Sequence, residues 1–206
     1  MRQDTQDRLK QIKGRFRLMM NGVASQSMRD KGLGYKINWG IALPALKEMA
    51  AEYGKDYELA IELWKEDIRE CKILATLIMP ATDMSAELVD IWVSQLPNQE
   101  MAEMAAFNLF RHLDGAKRYA LGWLASENEL KLICGYNVLS RLFASGEEFD
   151  EREINEFIDQ AQTAVADGNV SVRHAVVNAL SRFAQVDGLH MKILKSAFRS
   201  YNLDIF

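Results

Sequence analysis

Apolar residues recur at intervals of three and four positions along almost the whole chain. This spacing puts apolar side chains on one face of an α-helix, and no stretch shows the sustained alternation that indicates a β-strand. The pattern therefore predicts an all-α protein. The predicted helices span residues 4–20, 43–53, 57–66, 68–79, 86–96, 100–113, 116–124, 129–143, 151–166, 170–185 and 189–201.

The breaks between these helices fall at residues that end or begin helices. Pro80 and Pro97 cannot continue a helix, and Asn98 and Asn128 are good N-caps. One longer stretch, residues 21–40, contains four glycines and is predicted to be irregular.

A repeat emerges when three helices are aligned on the asparagines that precede them, which are Asn98, Asn128 and Asn169. Position +11 holds leucine and position +13 holds arginine in every copy; these residues are Leu109, Leu139 and Leu180, and Arg111, Arg141 and Arg182. Spacings of 30 and 41 residues suit helix pairs stacked into an α-solenoid. The repeated arginines either snorkel at repeat junctions or form a phosphate-binding ladder.

The prediction is an α-α superhelix, a single HEAT-like repeat solenoid domain over residues 1–206. Residues 1–40 form its basic N-terminal helix and Gly-rich loop, and residues 41–206 its stacked helix pairs. Residues 169–184 resemble the second helix of a HEAT repeat. A non-repeating helical bundle stays open as the alternative, since such offsets can agree by accident.

Charge is unevenly distributed. The chain has 25 Lys and Arg against 29 Asp and Glu, a net charge of −4. Residues 1–40 carry +6, residues 41–170 carry −13 and residues 171–206 carry +3. Nucleic-acid binding would therefore require a locally basic surface.

Several classes of site are not indicated by the sequence. Cys71 and Cys134 lie 63 positions apart within apolar patterns, which favours buried thiols in a reducing compartment. The three histidines show no metal-ligand spacing, and no phosphate-binding or nucleophile motif occurs. No metal and no cofactor is predicted. No apolar run approaches the ~20 residues of a membrane span, so the protein is predicted to be soluble and cytoplasmic without a membrane partner.

The first helix is amphipathic. Leu9, Ile12, Phe16 and Met19 form an apolar stripe, and basic residues surround it. Such a helix either docks on phosphates or an anionic membrane, or packs as an ordinary terminal helix with solvated charges.

Residues 27–79 resemble the N-terminal half of bacterial DNA alkylation repair enzymes of the AlkD type, and the resemblance continues loosely to residue 185. The segments that carry it are Met28-Arg29, Gly40-Ile41-Ala42-Leu43-Pro44-Ala45-Leu46-Lys47, Leu59-Ala60-Ile61-Glu62-Leu63-Trp64 and Glu70-Cys71-Lys72-Ile73-Leu74-Ala75. The resemblance implies a HEAT-like repeat DNA glycosylase that holds duplex DNA in a concave basic groove and releases N3- or N7-alkylated purines. An alkylated purine is already cationic, so the enzyme chiefly needs an anion to stabilise the developing sugar cation.

The chain departs from the family's site pattern. The family's carboxylate falls on Glu103, its aromatic partner on Gln99, its arginine on Ile133 and its second tryptophan on Asn178. Glu103 is the candidate catalytic residue, although a surface glutamate near a helix start is also common. The candidate DNA-binding residues are Gln99, Lys131, Arg141, Arg173, Asn178 and Arg182.

Two functional hypotheses remain. The first is a DNA-binding member of the alkylation repair family that excises alkylpurines with Glu103. The second is a catalytically silent solenoid scaffold that binds another protein, since solenoids exchange ligands readily on one surface. Loss of three of the family's four functional side chains favours the second, and the basic ends of the chain favour the first.

Overall fold

A computed structural model describes residues 3–201 and divides the chain between Ser85 and Ala86 into two compact units. The prediction of an all-α protein is confirmed: no β-strand occurs in the described residues, and Ile37 and Ile68 make one isolated parallel bridge.

Unit 1, which ends at Ser85, contains five α-helices and one 3-10 helix. They are α1 (Gln3–Leu18), α2 (Gly22–Asp30), α3 (Leu43–Tyr53), α4 (Tyr57–Lys65), α5 (Arg69–Ile78) and the 3-10 helix Ala81–Asp83. α5 packs against α3 and α4, and α1 packs on α4. The apolar stripe of α1 lies in this core, where Ile12 and Phe16 have no exposed surface.

The prediction that residues 21–40 are irregular is partly wrong, because α2 lies within them. Asn21 caps α2 by accepting a hydrogen bond from the Ala24 N–H at 3.0 Å. Only Ser25 of this helix is buried, so α2 has no apolar stripe that a periodicity analysis could detect.

The remaining loop is held against α5 by a buried carboxylate. Glu70 is fully buried and accepts hydrogen bonds from the backbone N–H groups of Trp39 at 3.1 Å and Ile41 at 3.3 Å. Arg69 donates to Glu70 at 3.2 Å and to the Ile41 carbonyl at 3.0 Å. Gly40, which lies between Trp39 and Ile41, has φ +71°. A Cβ at this position would lie 2.3 Å from the Asn21 carbonyl oxygen.

Unit 2 begins at Ala86 and contains seven α-helices and one 3-10 helix. They are α6 (Ala86–Ser94), α7 (Gln99–Asn108), the 3-10 helix Phe110–His112, α8 (Ala116–Leu124), α9 (Glu129–Ala144), α10 (Glu151–Asp167), α11 (Val170–Ala184) and α12 (Gly188–Ala197). α9 packs against α7, α8 and α11, and α10 packs against α8 and α11. The single helix predicted at 100–113 is instead α7 followed by the 3-10 helix, because Leu109 leaves the helical region at φ −131°.

The asparagines that define the sequence repeat are N-caps. The side chains of Asn98, Asn128 and Asn169 accept hydrogen bonds from the first-turn N–H groups of α7, α9 and α11. α7, α9 and α11 therefore start in the same way, and equal offsets from the caps mark equivalent positions.

The two cysteines are buried and not paired with each other, as the sequence predicted. Burial raises the pKa of both thiols well above the usual range.

Candidate functional site

A polar cavity of about 280 Å³ lies at the late turns of α7, α9 and α11. We call it the arginine pocket. Its lining residues are Phe107, Asn137, Ser140, Arg141, Asn178, Ser181, Arg182 and Gln185. Three of the residues proposed from sequence, Arg141, Asn178 and Arg182, are thus brought together within unit 2.

The pocket is a product of the repeat. Position +9 from the capping asparagine supplies Phe107, Asn137 and Asn178, and positions +12 and +13 supply Ser140, Arg141, Ser181 and Arg182. Positions +9 and +13 are four residues apart, so their side chains share one helix face. Stacking equivalent helices side by side therefore aligns these polar residues into one cluster.

Arg141 lies at the centre of the positive charge. Its guanidinium carbon is 4.2 Å from the centroid of the Phe107 ring, a cation–π contact. Burial lowers the pKa of Arg141, and the like charges of Arg111 and Arg182 lower that pKa further. Arg111 and Arg182 are therefore each close enough to Arg141 to repel it.

No carboxylate among residues 3–201 offsets this charge through an ion pair with one of the three arginines. Arg182 donates to Gln185 Oε1 at 3.0 Å, and Arg111 Nε donates to His112 Nε2 at 3.0 Å. The Gln185 amide is uncharged, and a histidine ring nitrogen accepts a hydrogen bond only when it carries no proton. Neither acceptor therefore supplies a negative charge. Such a concentration of uncompensated guanidinium groups attracts anions.

Glu103 and Gln99 lie on α7 on the same face as Phe107, since four residues separate each from the next. Gln99 Nε2 donates a hydrogen bond to Glu103 Oε1 at 2.9 Å, and both side chains are half-buried. Glu103 is therefore about 6 Å along the helix from the residue that contacts Arg141. The carboxylate is held by an amide where the resemblance implies an aromatic partner.

Of the six predicted DNA-binding residues, Gln99, Arg173 and Lys131 do not line the pocket. Arg173 donates to the Ala166 carbonyl at 2.8 Å at the end of α10, and lies about 14 Å along α11 from Arg182. Lys131 lies in the first turn of α9, about 15 Å along that helix from Arg141.

Sequence reasoning missed five lining residues, namely Phe107, Asn137, Ser140, Ser181 and Gln185. A signal existed for most of them. Asn137 and Ser140 are buried polar residues, and the same types recur as Asn178 and Ser181 at matching offsets. Polar residues repeated inside an apolar pattern mark a shared polar surface, whereas Phe107 could be assigned only from packing.

The basic character of α1 has a structural explanation. Arg8 is paired with Asp56, Lys13 with Glu66 at 2.9 Å, and Arg15 with Glu52 at 2.6 Å; all three carboxylates belong to unit 1. The hydrogen bond from Arg15 lowers the pKa of Glu52. Of the two interpretations of this helix, the contacts favour a packed terminal helix.

Residues 3–201 contain no group of three or more His, Cys, Asp or Glu side chains that could hold a metal ion. None of the helices in that range is long and apolar enough to cross a membrane.

Comparison with known proteins places these features in a family. A family model described as DNA alkylation repair enzyme matches residues 24–198. No curated protein matches the chain.

A solved structure matches with a TM-score of 0.80 at 19% identity, over 92% of this chain and 80% of the other. It is described as belonging to a new family of proteins related to the HEAT-like repeat DNA glycosylases with affinity for branched DNA structures. The match confirms the predicted fold class, an α-α superhelix of HEAT-like repeats.

Proposed function

Because the chain belongs to the DNA alkylation repair enzyme family, we propose that it binds DNA and that the arginine pocket contacts the phosphate backbone. One observation carries this proposal: Arg111, Arg141 and Arg182 gather without a carboxylate partner among the described residues. Arginine is suited to phosphate because its planar donors match the phosphate oxygens.

The local charge outweighs the overall charge at this site. The sequence from Ala86 onward has 11 Lys and Arg against 17 Asp and Glu, which would repel DNA if the charges were spread evenly. Charge–charge interactions are screened beyond about 8 Å at physiological salt. A phosphate in contact with the guanidinium groups therefore responds chiefly to them, and distant carboxylates add little.

The proposed substrate is branched DNA, in keeping with the affinity described for the structural relative. We expect a four-way junction to bind more tightly than a linear duplex of the same sequence and length. Binding of both should weaken steeply with salt, because phosphate contacts release counterions.

The decisive experiment compares Arg141→Gln, Arg182→Gln and their double variant with a control variant, Arg152→Gln. Arg152 is exposed on α10, and its replacement changes the net charge by the same amount. Each pocket variant should lose about tenfold in affinity, as expected for hydrogen bonds to a charged group, while Arg152→Gln should lose little. Equal losses in all three single variants would contradict a specific role for the pocket. Absence of DNA affinity in the unmodified protein would favour the protein-binding scaffold.

A second candidate function, excision of alkylated purines, is favoured by the position of Glu103. Its half-buried carboxylate lies one helix turn from Phe107 of the pocket, where an anion can stabilise a developing sugar cation. The test is release of 7-methylguanine from methylated duplex DNA. Glu103→Gln should abolish release and leave binding almost unchanged, while the exposed control Glu127→Gln should release base normally. Equal release by Glu103→Gln and the unmodified protein would overturn the assignment.

A further inference from the structure

We infer that the arginine pocket, given the DNA-binding function proposed above, takes the terminal phosphate monoester of a DNA strand in preference to an internal phosphodiester. A strand terminus of this kind occurs at nicks, gaps and broken arms. The inference deepens the proposed function by naming the phosphate that the pocket selects.

Charge balance is the first argument. An internal phosphodiester carries one negative charge, whereas a phosphate monoester carries about −1.5 to −2 at pH 7. The pocket is lined by Arg141 and Arg182, and Arg111 lies close enough to perturb Arg141. Since no carboxylate in residues 3–201 pairs with these groups, a monoanion leaves most of their charge uncompensated. A dianion offsets two of the three guanidinium charges.

Hydrogen-bond capacity is the second argument. A monoester presents three terminal oxygens, against two for a diester, and a guanidinium provides five N–H donors in a fixed fork. Among residues 3–201, the Arg141 guanidinium donates to no protein acceptor. It lies over the face of the Phe107 ring. The hydroxyl groups of Ser140 and Ser181 also line the cavity and can donate. The pocket therefore has unused donors beyond those that a diester accepts.

Size and surroundings are the third argument. A cavity of about 280 Å³ is about nine times the ~30 Å³ that a water molecule occupies in the liquid, so a phosphate group and its ester oxygen fit. The Phe107 ring covers one side of the Arg141 guanidinium, and burial strengthens the attraction between this cation and an anion. The same chemistry suits a phosphate monoester from any source, and the two experiments below distinguish a DNA end from a free phosphate.

The first experiment tests the pocket without DNA. Thermal unfolding is followed with methyl phosphate or dimethyl phosphate at equal ionic strength, since a ligand that binds the folded state raises the Tm. Methyl phosphate should raise the Tm of the unmodified protein and of Arg152→Gln, and should raise it much less in Arg141→Gln and Arg182→Gln. Dimethyl phosphate should give the smaller shift in the unmodified protein and in Arg152→Gln, whose pockets are intact. Equal shifts from the two esters would overturn the inference.

The second experiment uses nicked duplexes that differ only in a 5′-phosphate or a 5′-hydroxyl at the nick. The unmodified protein and Arg152→Gln should prefer the phosphorylated nick by about tenfold, as expected when charged-group hydrogen bonds are gained. Arg141→Gln should show no preference, and Arg182→Gln gives the same test if Arg141→Gln does not fold by circular dichroism.

The outcomes separate the two proposals. Equal affinity for both nicks, with binding that still depends on Arg141, overturns the monoester inference and leaves DNA binding intact. Stabilisation by methyl phosphate without affinity for any DNA overturns the proposed function, and it supports the pocket chemistry with a free phosphate monoester as the ligand.

Discussion

The two units use their cationic side chains differently. In unit 1, Arg8, Lys13 and Arg15 are paired with carboxylates of the same unit, and Arg69 is buried against Glu70. In unit 2, the repeated arginines lie together with no such partner in the described structure. Counting charges along the sequence gives the opposite impression, since the chain up to Ser85 has 14 Lys and Arg against 12 Asp and Glu, and the chain from Ala86 onward has 11 against 17.

The comparison shows that pairing matters more than net charge. A cation that already contacts a carboxylate must break that contact before it can bind a phosphate, whereas an unpaired guanidinium repelled by its neighbours gains from any anion. Lys55 and Lys72 extend the contrast, because both donate to backbone carbonyl groups of unit 1. The cations of unit 1 stabilise its fold, and the arginines of unit 2 are available to a ligand.

The largest effect expected from this contrast is on stability, at Glu70. Replacement by Ala removes the acceptor for two backbone N–H groups and the buried carboxylate to which Arg69 donates. Removing one partner of a buried ion pair costs about 3–5 kcal/mol of unfolding free energy. Urea denaturation measures the change, and Glu48→Ala, at an exposed position of α3, serves as the control. A loss no larger than that of the control would refute a structural role for the buried pair.

Replacement of Gly40 by Ala sharpens the same point about unit 1. The added Cβ would meet the Asn21 carbonyl oxygen at 2.3 Å and the Ser25 nitrogen at 2.6 Å, and φ is +71°. Backbone atoms cannot move aside cheaply, so we expect a loss of about 1–3 kcal/mol from strain at this position. Gly32→Ala is an informative control, since Gly32 also has positive φ but has no atom within 4 Å of its Cβ position. Similar losses at both glycines would show that backbone conformation dominates and that the close approach contributes nothing.

Glu70 and Gly40 are among the residues that carry the family resemblance, yet their contacts in this structure serve the fold of unit 1. The helices were predictable because apolar periodicity follows directly from the buried face of each helix. α2 escaped prediction because only Ser25 of that helix is buried.

The site was predictable to the extent that it follows the repeat. Arg141 and Arg182 were proposed from sequence, and equal offsets from N-caps on parallel, adjacent helices bring them together. Lys131 and Arg173 were also proposed from sequence as DNA-binding residues, but distance along their helices separates them from the pocket. The contact between Phe107 and Arg141 joins different helices, so no local pattern in the sequence encodes it.

A smaller effect tests whether the start of α11 sets the register of the pocket. Asn169→Ala removes the side chain that accepts from the Val172 N–H at 2.9 Å. Loss of an N-cap costs about 1 kcal/mol. We expect that loss in urea denaturation, together with an unchanged affinity for DNA, because Arg182 lies at the other end of the helix. Asn169→Asp should restore most of the stability, since aspartate caps as well as asparagine. A large loss of DNA affinity in Asn169→Ala would mean that the pocket depends on the helix start.

The smallest expected effect is the one that most directly tests the comparison. Arg15→Gln removes one positive charge from the most basic part of the sequence, but Arg15 is already paired with Glu52 at 2.6 Å. We expect its affinity for branched DNA to stay within about twofold of the unmodified protein, since a charge already paired in solvent contributes little to other interactions. Glu52→Gln is the matched variant, because it releases Arg15 from its carboxylate. The hydrogen bond from Arg15 lowers the pKa of Glu52 in the folded protein. The pair therefore stabilises the fold at a pH above the pKa that this carboxyl has in the unfolded chain, and the stabilisation is lost as the pH falls through the lower pKa of the folded protein. If pairing decides which cations reach DNA, then Glu52→Gln binds DNA at least as tightly as the unmodified protein while Arg15→Gln does not differ from it. A tenfold loss in Arg15→Gln, equal to that expected for Arg141→Gln, would show that α1 contacts DNA despite its ion pairs.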